Sequence, residues 1–156
     1  MIISEFLPDP VGKDIDGEWM ELFNNGSSLT NLKGWAVKDA SGKTFKFAKE
    51  TPVAPGAYLK VDYSTSKISL NNNDEILFLY DSSGNLIDKA EYQGKALEGK
   101  SLIRQGDKFV FDVPKSAEPE ILNSVPLINN YSADASILNA ANSLNPFVLF
   151  IGFFIA

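Results

Sequence analysis

Four acidic residues in one short stretch are the first candidates for chemistry in this sequence. The stretch DPVGKDIDGE contains Asp9, Asp14, Asp16 and Glu18. Calcium prefers hard carboxylate oxygens that alternate along a tight glycine-containing turn, and the D-x-D-G spacing that ends at Gly17 is typical of such a turn. The stretch does not complete an EF-hand loop, because its bidentate acid is missing. These residues therefore predict either a calcium site formed by the four side chains or an acidic, solvated loop between two strands.

Catalytic groups are limited by the composition. The sequence contains no histidine and no cysteine, so Ser-His-Asp and Cys-His triads, thiolate nucleophiles and imidazole-bound zinc are excluded. Glu18 and Glu21 are a candidate carboxylate pair, but their odd separation on a strand puts them on opposite faces, so they cannot act together on one substrate, and we expect both to be solvated or edge-facing charges. Lys100 and Ser101 point apart for the same reason. We predict that the chain is not an enzyme, has no catalytic residues and, calcium aside, uses no cofactor.

A group of lysines is a candidate site for anion contacts. Lys43, Lys46 and Lys49 lie in a predicted hairpin that also contains Lys33 and Lys38. Such a group can contact a few phosphates, although salt weakens these contacts steeply. The net charge of the chain is −6, which opposes long-range attraction to nucleic acid or anionic lipid. Nucleic-acid binding is therefore a candidate function of this hairpin that the net charge disfavours, and we keep it as an alternative.

Trp19 and Phe23 are candidate recognition residues. Polar and apolar residues alternate in WMELFN, which puts Met20 and Leu22 on one face of a strand and the two aromatic rings on the other. If Met20 and Leu22 face a core, the rings either form an exposed patch or are covered by the segment Lys115–Asn123.

Turn residues separate a series of short apolar stretches. Asp39–Lys43 and Asp81–Asn85 share the pattern D-x-S-G-x, and each lies between apolar runs, as in a β-hairpin. Pro55-Gly56 suits the central positions of a type II turn. No convincing amphipathic helix accompanies these strands, so the sequence predicts two packed antiparallel sheets. The predicted strands, the last two of them weak, are Ile2–Leu7, Met20–Phe23, Trp35–Val37, Thr44–Phe47, Tyr58–Val61, Ile76–Tyr80, Leu86–Tyr92, Leu102–Arg104 and Phe109–Val113. The predicted core residues are Met20, Leu22, Trp35, Tyr58, Leu77 and Leu79.

Blocks of sequence in a fixed order resemble the lamin tail domain family. The blocks are ISEFLPDP from Ile3, GEWMELFN from Gly17, LTNLKGWAVKD from Leu29, APGAYLKV from Ala54, LNNNDEILFLYDSSGNLIDKAEY from Leu70 and GKSLIR from Gly99. The resemblance extends from Ile2 to about Asn123 and is closer to the prokaryotic branch than to animal lamins. It implies an all-β fold, an immunoglobulin-like antiparallel β-sandwich of lamin-tail type. One departure is AEPEILN at residues 117–123, where many bacterial members have a T-P-G-x-x-N turn.

The composition changes after Lys115, because no Lys or Arg follows it. We predict a sandwich domain at residues 1–123, an Asn/Ser/Ala-rich linker at residues 124–145 and an apolar segment at residues 146–156. As a helix, Phe147–Ala156 would rise about 15 Å, which is roughly half of a hydrocarbon core. We therefore expect the apolar C-terminal tail to be the start of a truncated membrane anchor, with a buried strand as the alternative.

These features predict a non-catalytic binding or spacer module. The resemblance implies an exported prokaryotic protein, held at the cell surface by the membrane segment and adhering to another protein or a surface polymer. The sequence begins without a signal peptide, so an extracellular location requires an upstream signal. Alternatives are a nucleic-acid-binding module of lamin type and an accessory domain of an exported hydrolase or nuclease. Sandwich folds host many functions, so the resemblance supplies the functional prediction by analogy.

Overall fold

The computed structural model describes residues 1–115, and these residues form eleven strands and two single-turn helices. The helix α1 (Asp14–Gly17) lies between β1 and β2, and α2 (Tyr63–Ser66) directly follows β7. The strands are β1 (Ile2–Leu7), β2 (Trp19–Phe23), β3 (Thr30–Asn31), β4 (Ala36–Lys38), β5 (Thr44–Lys46), β6 (Pro52–Val53), β7 (Tyr58–Asp62), β8 (Asn73–Tyr80), β9 (Leu86–Lys95), β10 (Ser101–Gln105) and β11 (Lys108–Asp112).

Two larger antiparallel sheets make up the fold. The five-stranded sheet has the strand order β11-β10-β1-β2-β7, and the four-stranded sheet has the order β5-β4-β8-β9. The short strands β3 and β6 pair with each other. This arrangement confirms the all-β, immunoglobulin-like sandwich predicted from the sequence.

The core lies between the two sheets because each sheet turns one apolar face inward. The ring of Phe6 is fully buried and contacts Tyr92 and Phe109, with centroid distances of 6.1 Å and 5.4 Å. Rings at these separations pack edge to face or tilted, as aromatic pairs prefer. Other fully buried side chains of the core are Ile3, Met20, Leu22, Leu32, Val37, Leu77, Leu79 and Leu102.

All nine strands predicted from the sequence are confirmed, with bounds that differ by at most three residues. The strands β3 and β6 and both helices were missed, because two to four residues are too few to show a hydrophobic period. Four predicted core residues, Met20, Leu22, Leu77 and Leu79, are confirmed. The prediction for Tyr58 is wrong, because this residue lies on the edge strand β7 and is 53% exposed. Trp35 is half-buried and packs against the core.

The two D-x-S-G-x segments form hairpins, as predicted, between β4 and β5 and between β8 and β9. In each turn the aspartate closes the loop: Asp39 Oδ1 accepts from the N–H of Lys43 at 2.8 Å, and Asp81 Oδ1 accepts from the N–H of Asn85 at 2.8 Å. Gly84 has φ +85°, a left-handed conformation that glycine adopts without a Cβ clash. The same turn chemistry therefore specifies both hairpins.

Three predictions concern residues outside the described part. They are the end of the domain at residue 123, the linker at residues 124–145 and the apolar segment at residues 146–156. Within residues 1–115, no helix is long and apolar enough to cross a membrane.

Candidate functional site

Glu18 lies between α1 and β2 and is buried, with 2% of its surface exposed. Its Oε1 accepts from the N–H of Leu70 at 3.1 Å, whereas its Oε2 is buried and has no hydrogen-bond partner among residues 1–115. Burial, together with the negative charges of Asp14 and Glu75, raises the pKa of Glu18 to about 7, although the hydrogen bonds from Leu70 and Ser69 lower it. The prediction that Glu18 is solvated is therefore wrong, because the loop before β8 folds over it.

The other acidic residues of the predicted calcium site occupy separate environments. Asp14 Oδ2 accepts from Nδ2 of Asn72 at 3.2 Å, Asp16 is exposed, and Asp9 is half-buried. In the described part of the chain, no three Asp or Glu side chains form a group that could hold a metal ion. Calcium binding by Asp9, Asp14, Asp16 and Glu18 stays a prediction. A cavity of about 400 Å³ lies beside this loop and is lined by Ile15, Asp16, Glu18, Asp62, Tyr63 and Ser64.

Glu75 is a second buried carboxylate, and it fastens two loops to the start of β8. One oxygen accepts from the N–H of Ala40 at 3.2 Å, and the other accepts from the N–H and the side chain of Asn71 at 2.8 Å and 3.0 Å. Hydrogen bonds from several donors stabilise a buried charge that would otherwise be costly. The side chain of Glu75 therefore has a structural role, because it holds these two loops next to β8.

Glu5 and Glu21 are a carboxylate pair that the sequence did not reveal. They are cross-strand neighbours on β1 and β2, and both are buried. Ser101 Oγ donates to Glu5, and Ser4 Oγ donates to Glu21 at 2.6 Å. Burial raises the pKa of Glu5, against hydrogen bonds from Ser101 and from the N–H of Lys115. The prediction that Glu21 is solvated is wrong. Detecting the pair requires the register between two strands, including the bulge after Ile3.

Asp88 and Arg104 connect the two sheets. Asp88 on β9 and Arg104 on β10 form an ion pair at 2.5 Å, with only 13% and 15% of their side chains exposed. The same aspartate accepts from the N–H of Ile3 at 2.7 Å, and Arg104 Nε donates to the carbonyl of Ile3 at 2.8 Å. Because β1 has a bulge after Ile3, the N–H and the carbonyl of Ile3 are free to bond to Asp88 and Arg104.

Trp19 is buried, which contradicts one predicted alternative, an exposed patch with Phe23. The other alternative was cover by the segment Lys115–Asn123, and residues 116–123 lie outside the described part. The indole is 8% exposed, and Lys60 Nζ lies 4.7 Å from its ring centroid. Phe23 is half-buried and stacks on Tyr58, with ring centroids 4.5 Å apart. The neighbouring strand β7 accounts for both observations, because Lys60 and Tyr58 project beside these rings. The aromatic partner of Phe23 is therefore Tyr58 and not Trp19.

The three lysines predicted to contact anions are all exposed. Lys46 lies on β5, Lys43 lies in the β4–β5 turn, and Lys49 follows β5. Strand alternation places Lys46 on the outer face of the four-stranded sheet, since Phe45 packs towards the core. Anion contact by these lysines stays a prediction.

Two aromatic residues near Lys46 were not selected from the sequence. Phe78 and Tyr80 alternate along β8 with the buried Leu77 and Leu79, and they are half-buried. Alternation places their rings on the outer face of the four-stranded sheet. Their outward orientation could have been predicted from the period-two pattern of the sequence ILFLY.

Comparison with known proteins identifies one family. The model of the Lamin Tail Domain family matches residues 1–94. A comparison with curated proteins gave no match.

Proposed function

Because the chain belongs to the lamin tail domain family, we propose that it is a non-catalytic module that binds another protein or a surface polymer, or spaces the parts of a larger assembly. The observation that carries this proposal is that three carboxylates shielded from solvent are engaged in structural hydrogen bonds. Glu5, Glu75 and Asp88 each accept from groups that join strands or loops. Because these carboxylates already accept hydrogen bonds within the fold, they are poorly placed to act as general acids or bases.

Display at the cell surface is the second part of the proposal. It is supported by the apolar run Phe147–Ala156, which has the composition of a membrane segment, and by the likeness of the sequence blocks to exported prokaryotic relatives. The immunoglobulin-like sandwich suits this role, because a rigid scaffold presents its sheet faces and loops to a partner.

Nucleic-acid binding is the alternative function, and one observation favours it. Lys46 and the rings of Phe78 and Tyr80 share one sheet face, and proteins that bind single strands combine basic and aromatic side chains in this way. The net charge of −6 disfavours it, because the phosphate backbone dominates such binding.

Cosedimentation together with turnover assays tests the proposal. The purified full chain is mixed with insoluble cell-wall polymers and, separately, incubated with ester, phosphodiester and glycoside substrates. We expect the protein to sediment with a wall polymer and to give product no faster than a buffer blank. Turnover that follows the folded fraction during thermal unfolding would contradict a non-catalytic module. Binding only to single-stranded DNA in physiological salt would replace the proposal with the alternative.

A further inference from the structure

The outer face of the four-stranded sheet carries an apolar stripe that the core does not use. Ile76, Phe78 and Tyr80 alternate along β8 with the core residues Leu77 and Leu79. The centroids of Phe78 and Tyr80 are 6.4 Å apart, with 33° between the ring planes. All three outward side chains are half-buried. The rings therefore form a shallow platform on an inner strand of the sheet.

Lysines flank this stripe on both sides. The strand register places Lys38 of β4 directly opposite Phe78, and Lys89 of β9 stands opposite Phe78 on the other side. Lys46 of β5 lies in the next row, where Ala36 separates it from Tyr80. The aromatic–lysine face is defined here by six residues: Lys38, Lys46, Ile76, Phe78, Tyr80 and Lys89.

The charge of this face differs in sign from that of the chain. Three lysines project from it, and one acidic residue, Glu91, pairs with Lys89 at 2.6 Å. Lys46 is exposed, and Lys38 is half-buried. The face is thus locally positive, while the whole chain has a net charge of −6. Attraction at such a face acts over about 8–10 Å in physiological salt.

We infer that the aromatic–lysine face binds a carboxylated polysaccharide, with sugar rings on Phe78 and Tyr80 and sugar carboxylates paired with Lys38 and Lys46. This inference rests on the proposed binding function and names its surface and its ligand class. The C–H face of a pyranose ring packs on an aromatic ring, while each carboxylate accepts charge-assisted hydrogen bonds from an ammonium group.

Charge complementarity selects this ligand over two related ones. A neutral polysaccharide gains nothing from lysines placed beside the rings. A nucleic acid places a phosphate on every nucleotide, so its charge density meets stronger repulsion from an acidic chain with few lysines on this face. In a polysaccharide with widely spaced carboxylates, the sugar rings can pack on the two aromatic rings, and the few carboxylates can pair with the few lysines.

Calorimetric titration of the full chain tests the inference with three probes: hyaluronate, which has one carboxylate for every two sugars, neutral dextran and single-stranded oligothymidylate. We expect hyaluronate to bind in physiological salt and the other two to bind more weakly. The variants are Tyr80→Leu, which keeps an apolar side chain but removes the ring, and the pair Lys38→Gln/Lys46→Gln. Each is expected to weaken binding about tenfold, which corresponds to about 1.4 kcal/mol. Matched controls on the other sheet, Tyr58→Ala and Lys108→Gln, are expected to leave the affinity unchanged.

Several outcomes would overturn the inference. Among them are no binding of hyaluronate, equal binding of dextran, tighter binding of the oligonucleotide, and equal losses in the control variants. Thermal unfolding of every variant separates loss of binding from loss of folding. If the chain sediments with wall polymers as strongly after Tyr80→Leu and Lys38→Gln/Lys46→Gln as before, this inference fails and the proposed function stands. Catalytic turnover would instead refute the proposed function.

Discussion

Arg104→Ala is expected to lower the free energy of unfolding by about 3–5 kcal/mol, because it leaves the carboxylate of Asp88 buried without its charge partner. The ion pair is largely shielded from water, and the guanidinium also donates to the carbonyl of Ile3 and lies 4.7 Å from the ring centroid of Phe109. One substitution therefore removes a charge, a hydrogen bond and an aromatic contact that together join β10 to β9, β1 and β11. Urea unfolding of the full chain measures the effect.

The matched control for this variant is Lys33→Ala. Lys33 pairs with Glu50 at 2.8 Å, but the two side chains are 58% and 62% exposed. Because water screens such a pair, the expected loss of stability is much smaller than in Arg104→Ala. The double variant Asp88→Ala/Arg104→Ala is expected to lose less stability than the sum of the single variants, since neither charge is then left alone. A loss of less than about 1 kcal/mol in Arg104→Ala would show that the pair does not connect the sheets.

Glu18→Gln is expected to stabilise the protein at alkaline pH by up to about 3 kcal/mol, at about 1.4 kcal/mol per pKa unit. The pKa of Glu18 in the folded chain is raised from its ordinary 4.5 to about 7. Between these values the folded state holds a proton that the unfolded state has released, so the contribution of Glu18 to stability falls as the pH rises from about 4.5 to about 7. Glutamine is neutral throughout, and its oxygen can still accept from Leu70.

The measurement is the unfolding free energy of both proteins from pH 4 to pH 8.5. The difference is expected to be smallest at pH 4 and to level off only above pH 7, where Glu18 is ionised in both states. The exposed Glu98→Gln serves as the control and is expected to show no such growth. A difference that is independent of pH, or a Glu18→Gln variant that is less stable at pH 8.5, would contradict the burial of an unpaired carboxylate oxygen at this position.

The fold was readable from the sequence because its signals are local. Asp39 and Asp81 close their hairpins with groups four residues away, and the alternation around Leu77 and Leu79 shows which face of β8 is buried. The turns and the period-two pattern thus specified all nine of the longer strands. The exposure of Tyr58 could not be predicted in this way. It depends on β7 being an edge strand, which is a property of the sheet topology.

The buried polar residues were not readable, because their partners are distant along the chain. Ser101, which donates a hydrogen bond to Glu5, is 96 positions away in the sequence. Leu70, which donates to Glu18, is 52 positions away. A glutamate that alternates with apolar residues reads as solvated unless its cross-strand neighbours are known. The same limit hid the aromatic–lysine face, since Lys38, Lys46 and Lys89 meet around β8 only through the strand register.

Amide NMR spectra of the full chain, recorded during a titration with hyaluronate, test most directly that this domain binds its ligand with a sheet face and not with its acidic loop. The account predicts shift changes concentrated at Ala36–Lys38, Thr44–Lys46 and Ile76–Tyr80, with small changes at Asp14–Glu18. Shift changes centred on Asp14–Glu18, or a spectrum that does not change at saturating hyaluronate, would contradict it.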